Sequence, residues 1–249
     1  MPAVDVQLTD LEFHPLTSDR WSDFEKLFGP RGACGGCWCM WWRLSRSQFM
    51  KQRGEENKKT LKDIVDSGNV PGIIAYLKEQ PIGWCAIAPR EAYVSLERSR
   101  LLKRVDDKPV WSTVCFFVAR PFRHKGLTVR LLEAAVDYVK SNGGAILEGY
   151  PVESKSGKMP DPFAYTGISS AFRKVGFCEV LRRSESRPIM RYVIRKSGEA
   201  PHSGSSARED RRTIANWISR RKTSREIKET TKRDIPKREL GNAVALNPR

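Results

Sequence analysis

The sequence predicts an α/β protein whose helices flank one central sheet of mixed strand direction. Three observations carry this. Residues 110–118 (VWSTVCFFV) are apolar on both faces, as a central strand should be. Residues 126–141 place Leu127, Leu131, Leu132, Ala135 and Val139 at helical spacing. Strands alternate with helices only in the second half, which argues against a doubly wound parallel sheet.

Taken in order, residues 4–16 alternate polar and apolar side chains and read as a first strand. Thr17, Ser18 or Asp19 can cap the helix that follows to about Phe28. A Gly/Cys/Trp segment, RGACGGCWCMWWR, has no clear period. Residues 45–67 read as one very polar helix, weakened by Gly54. The short apolar runs 72–77 (GIIAYL) and 82–88 (IGWCAIA) form a hairpin around KEQP. Residues 89–107 are charged and read as irregular or a short helix. After the central strand and the strong helix, Asn142-Gly143-Gly144 ends that helix. Residues 145–150 are a further strand, 151–162 a Pro/Gly/Ser-rich loop, and 168–175 a short helix stopped by Gly176. Residues 177–181 and 189–194 are closing strands.

The 249 residues, 39% of them apolar, allow one sizeable domain with an appendage. Two units are expected: a domain over 1–196, and a basic linker and tail over 197–249, partly helical or disordered. No apolar run reaches the roughly 18 residues of a membrane span. The first residues lack the basic-then-apolar pattern of a secretory leader. A cytoplasmic protein without a membrane partner is therefore expected. Of the formal charge of +16, the tail carries +6, thirteen Lys/Arg against seven Asp/Glu. A basic balance suits nucleic acid or a polyanionic small molecule. Its spread over the whole chain weakens the nucleic-acid reading and confines it to the tail.

The central strand runs into Arg123-His124-Lys125-Gly126-Leu127-Thr128 and then into the strong helix. A helix N-terminus presents unpaired N–H groups and the positive end of its dipole. Gly126 lets the backbone approach a phosphate closely. Such a turn suits a pyrophosphate; read blandly, it is a strand-to-helix connection with a solvated basic face.

The segment VARPFRHKGLTVRLL resembles the signature of the GNAT (GCN5-related) N-acetyltransferase superfamily, Arg/Gln-x-x-Gly-x-Gly/Ala between an apolar strand and a Leu-rich helix. Thr128 stands at the second Gly/Ala position. The ending Phe172-Arg173-Lys174-Val175-Gly176-Phe177 resembles that family's aromatic-xxx-Gly-Phe. The order of elements matches over about residues 5–195. The resemblance implies the GNAT fold, with a mostly antiparallel sheet. It implies acetyl-CoA as cosubstrate and transfer of its acetyl group to a primary amine by direct attack in a ternary complex. The amine belongs to a small molecule or a protein, and a homodimer is left open. It implies that residues 123–128 (Arg123, His124, Lys125, Gly126, Leu127, Thr128) hold the pyrophosphate. Backbone near Phe116, Phe117 and Val118 then pairs with the pantetheine arm and polarises the thioester carbonyl. The tyrosine that reprotonates the leaving thiolate commonly stands where this chain has Phe172, which cannot donate a proton and is left as a cofactor contact.

The resemblance thus leaves three catalytic candidates. Tyr165 falls near the position of a pantetheine-contacting Asn and can bind CoA or protonate sulfur. Tyr150 is a second phenol. Glu148 is the only charge in residues 145–150, on the strand next to the cofactor strand, and is the candidate base. Each has a bland counterpart: loop packing for the tyrosines, a salt-bridged carboxylate for Glu148. Asp161 and Glu153 are weaker options.

Six cysteines occur. Cys85, Cys115 and Cys178 read as small buried hydrophobes. Cys34-x-x-Cys37-x-Cys39 offers three thiols where zinc takes four ligands. With Trp38, Trp41 and Trp42 around it, the segment reads as core or pocket wall rather than metal or redox site, and no metal is expected. Residues 211–230 faintly resemble the C-terminal helix of bacteriocin-protection (OmpD-associated) proteins. The alternatives are a non-catalytic acyl-CoA-binding regulatory module and, more weakly, a Cys-cluster metal- or nucleic-acid-binding protein.

Overall fold

A computed structural model describes residue 8, residues 10–153 and residues 163–194. The seven strands are β1 (Leu11–Pro15), β2 (Gly72–Leu77), β3 (Gln80–Pro89), β4 (Trp111–Val118), β5 (Ile146–Gly149), β6 (Cys178–Arg182) and β7 (Pro188–Val193). They form one sheet in the order β1-β2-β3-β4-β5-β7-β6. Every neighbouring pair is antiparallel except β4 and β5. The expected mixed, mostly antiparallel α/β architecture is therefore present.

The helices are α1 (Trp21–Phe28), α2 (Arg46–Lys51), α3 (Glu55–Asp66), α4 (Val94–Arg98), α5 (Leu127–Ser141) and α6 (Ser169–Val175). The single helix expected over 45–67 is two, because Gly54 stands at φ 95 and breaks it. Ser45 and Gln48 close a capping box that starts α2. The hairpin turn is tighter than KEQP. Leu77 pairs with Gln80, and Lys78 and Glu79 at φ 48 and 64 make a two-residue mirror turn matched to strand twist.

Each face of the sheet carries its own core. On one face, α5 and α6 lay Leu127, Leu131, Leu132, Ala135, Val139 and Phe172 over Ile73, Ala75, Cys85, Phe116 and Met190. Leu131 and Leu132 are fully buried, each contributing about 1.5–3 kcal/mol. On the other face, α1, α3, α4 and the Cys/Trp segment pack Phe24, Phe28, Trp38 and Leu61 on Trp84, Val114 and Tyr150. Cys85 is buried as expected, whereas Cys115 and Cys178 are only partly so. The tail 197–249, its OmpD-associated likeness and Asp161 lie outside the described residues.

Candidate active site

The one parallel pair is also the shortest. β4 and β5 meet at Trp111↔Leu147, Ser112↔Glu148 and Thr113↔Gly149, and pair no further. On its other side β4 shifts register against β3, which pairs Ile87 with Thr113 but Ala86 with Cys115. Val114 is thus an extra residue in β4, and such a bulge bends and twists its strand. The two strands diverge from that level and leave a fork.

Beyond the fork, β4 continues through Phe116, Phe117 and Val118 to a tight turn at Arg120–Phe122. Arg123 folds back so that its Nε donates to the Val118 carbonyl at 3.0 Å. His124 and Gly126 adopt left-handed backbone, φ 60 and 82. Gly126 caps α5, and a Cβ there would meet nothing within 4 Å, so the glycine serves the backbone angle and leaves open space. Val129 is the first helical donor, onto the Gly126 carbonyl at 2.9 Å. Leu127 and Thr128 precede it, so their N–H groups point out of the helix end. No acidic residue occupies the first turn of α5, and His124 and Lys125 are exposed. Among the described residues Lys125 has no ion-pair partner. Leu127 is buried with the α5 core and Thr128 is half-buried. The geometry fits a polyanion: open backbone at Gly126, a helix N-terminus with no acidic residue in its first turn, and cationic side chains.

Phe172 is placed differently from an exposed cofactor contact. It is fully buried and edge-on to Phe116 and Phe177, with centroids 6.1 and 4.9 Å away. A Cβ on Gly149 or Gly167 would come within 2.1 or 2.7 Å of its ring. Phe172 therefore forms the floor beneath the fork.

Glu148 and Tyr150 are brought together at the base of the fork, inside a buried ionic network. Glu148 is 1% exposed and accepts from Arg90 Nη1 at 2.9 Å, Arg191 Nε at 2.7 Å and the Tyr150 hydroxyl at 2.6 Å. Arg90, also 1% exposed, donates to Glu97 and to the Leu102 carbonyl. Arg191 grips both carboxylate oxygens of Asp106, at 2.8 and 3.0 Å. Tyr150 also bonds Ser112 of β4 at 2.8 Å. Burial, then the Glu148 charge, push the Tyr150 phenol far above its ordinary range. Burial works against Asp106, but the Arg191 hydrogen bonds and charge outweigh it and hold that carboxyl low. Glu148 is thus a salt-bridged carboxylate, held between two guanidiniums and a phenol that are themselves tied to further partners. Sequence reading found one half of this network. Arg191 is likewise a lone charge in an apolar strand run, and pairing it with Glu148 was the available signal.

Tyr165 lies apart from that pair, at the fork itself. Its backbone carbonyl accepts from the Phe116 N–H at 2.6 Å. Its phenol is pushed up to about 12 by burial, with Arg187 opposing and the thiols of Cys115, Cys37 and Cys39 adding to the rise. The Cys/Trp segment therefore borders the fork on the α1 side. Cys39 is buried, accepts from Trp84 Nε1 at 3.2 Å and takes a hydrogen bond from the Cys115 thiol, which lowers its own titration and raises that of Cys115. Phe28 stacks on Trp38 and tilts onto Phe117 at 5.3 Å. Trp38, Cys39 and Met40 join the core on this face and Trp42 packs against it, while Trp41 is exposed; among the described residues no three His, Cys, Asp or Glu side chains group as metal ligands. A shallow cavity of about 290 Å³ lies between Arg31 and Trp38 of this segment and Arg53, just before α3. Glu153, the weaker option, is held by Arg173 and Arg182, which lower its carboxyl. Among the described residues no helix is long and apolar enough to cross a membrane.

Residues 38–150 match the acetyltransferase (GNAT) family. No curated protein matches the chain. Among solved structures, the chain is similar to a PaiA N-acetyltransferase from Thermoplasma acidophilum in complex with coenzyme A. That match has 15% identity, 75% of this chain and 100% of that one, at TM-score 0.43. It is also similar to a GNAT-family acetyltransferase from Listeria monocytogenes, at 8% identity over 74% and 95% of the two chains, TM-score 0.47. A third is ribosomal-protein-S5-alanine acetyltransferase from Vibrio fischeri, at 11% identity over 76% and 95%, TM-score 0.42.

Proposed function

We propose that the chain, whose residues 38–150 match the acetyltransferase (GNAT) family, transfers the acetyl group of acetyl-CoA to a primary amine by direct attack. The observation that carries the reading is the β4–β5 fork opening beside the glycine-capped helix N-terminus at Arg123–Thr128, whose first helical turn holds no acidic residue. The pyrophosphate lies on the N–H groups of the turn and first helical residues, with Lys125, His124 and Arg123 around it. The pantetheine arm follows the edge of β4 beyond its pairing with β5, along Phe116, Phe117 and Val118. The thioester carbonyl takes the Phe116 N–H.

The amine nitrogen attacks that carbonyl carbon, the oxygen gathers charge against the Phe116 N–H, and the C–S bond breaks to release CoA thiolate. The amine proton leaves to solvent. Tyr165 is the phenol at the fork, and its raised titration keeps the hydroxyl protonated through the neutral range, ready to donate to the departing sulfur. Glu148 and Tyr150 hold the fork's base together and take no part in proton transfer.

Two observations favour a second reading, a non-catalytic acyl-CoA-binding module: Phe172 is in the core, and the Phe116 N–H already has a carbonyl partner. Thiol release from acetyl-CoA across an amine panel separates the two. Amine-dependent release supports the enzyme; tight binding of acetyl-CoA without release supports the module.

A further inference from the structure

Past Thr113 and Gly149, the gap between β4 and the continuation of β5 is filled from within the chain. The Tyr165 carbonyl accepts from the Phe116 N–H of one arm at 2.6 Å. Two residues on, the Gly167 carbonyl accepts from the Val152 N–H of the other arm at 2.9 Å. The Gly167 N–H closes the turn on the Ala164 carbonyl at 2.8 Å. The turn 164–168 thus stands as a rung bonded to both arms. Thr166, in its middle, is fully buried, and its Oγ1 accepts from Arg187 Nη1 at 3.0 Å. At Gly167, φ is 82 and a Cβ would lie 3.2 Å from Phe116, so the rung sits close enough to require a glycine.

A backbone N–H bonded at this distance has little left for a second carbonyl. We infer that the 164–168 turn is an internal strap that holds the acyl slot closed, and that acetyl-CoA enters by exchanging its thioester carbonyl for that of Tyr165. This rests on the acyl-CoA reading above. The strap carbonyl occupies the thioester carbonyl's place, so one hydrogen bond is traded for another. The open form is then a fraction of the free protein, and the observed Kd is the intrinsic Kd divided by that fraction. Loosening the strap raises the fraction. Thr166→Val removes the Oγ1 acceptor and Arg187→Ala removes its donor, and neither touches residues 123–128.

The sign of the effect is diagnostic, because a merely structural role would weaken binding. Calorimetric titration of the full chain with acetyl-CoA is expected to show both variants binding about three- to tenfold tighter than the unmodified protein. Thr166→Ser, which keeps the hydroxyl, binds as the unmodified protein does. Equal or weaker binding in both folded variants overturns the strap. If the variants misfold, the unmodified protein decides: scalar coupling across the hydrogen bond from Phe116 ¹⁵N to Tyr165 ¹³C′ is present when free and lost with acetyl-CoA. Saturable acetyl-CoA binding with that coupling intact sinks the strap alone. Absence of any acetyl-CoA binding sinks the acyl-CoA reading and the strap with it.

Discussion

The two ends of the fork are both rich in charge, and they treat it in opposite ways. At the base, Arg90, Glu148 and Arg191 are buried, Asp106 is partly so, and they answer one another within the fold. At the mouth, His124 and Lys125 are exposed around a helix end with no acidic residue in its first turn. Buried charges that are fully paired inside a protein serve its own geometry. A helix end with exposed cationic side chains and no acidic residue in its first turn is equipped for an anion that comes from outside. The difference separates pin from site more sharply than residue type does, since both ends hold an arginine and a group that titrates.

The strongest way to break this comparison is to remove the centre of the pin. Glu148→Ala leaves Arg90 and Arg191 facing each other in the core and is expected to cost about 3–5 kcal/mol in urea unfolding. A variant as stable as the parent would show that the base is not a pin. The next effect lies at the fork. Tyr165→Phe is expected to lower kcat about 100-fold if the phenol donates to sulfur, with acetyl-CoA affinity unchanged; an unaltered kcat removes Tyr165 from the chemistry.

At the mouth, Lys125→Glu is expected to weaken acetyl-CoA about tenfold, roughly 1.4 kcal/mol, while stability stays within about 0.5 kcal/mol. Loss of stability with intact binding would reverse the roles assigned to the two ends. The smallest effect is a pH dependence of the pin. Asp106 is held below its ordinary range. Its contribution is therefore present above the unfolded carboxyl value, about 3.9, and is lost as pH falls through the lower folded value. Asp106→Asn is expected to flatten the acid limb of the unfolding curve; an identical limb in both proteins shows that the pairing adds nothing.

The sequence made the frame legible because local signals agreed there. The apolar run VWSTVCFFV became β4 and the Leu127–Val139 period became α5, and the turn between them could be placed from its glycine and its charges alone. Boundaries shifted where a glycine decided the matter, as at Gly54. What stayed illegible depends on contacts between distant segments. Glu148 alone on an apolar strand looks the same whether it is a free base or a salt-bridged one. Only the fold brings Arg90 and Arg191 to it, from 58 and 43 residues away. The Tyr165 carbonyl on the Phe116 amide is a main-chain contact across 49 residues, and no side-chain pattern announces it. Phe172 was read from its motif as a cofactor contact, but two glycines facing its ring make it core.

The central claim, that Arg123–Thr128 holds acyl-CoA beside the fork, meets its most direct test in an amide NMR titration of the full chain with acetyl-CoA. The account predicts saturable shifts largest at Gly126, Leu127, Thr128 and Phe116. No saturable binding, or shifts centred on the cavity between Arg31, Trp38 and Arg53, would contradict it.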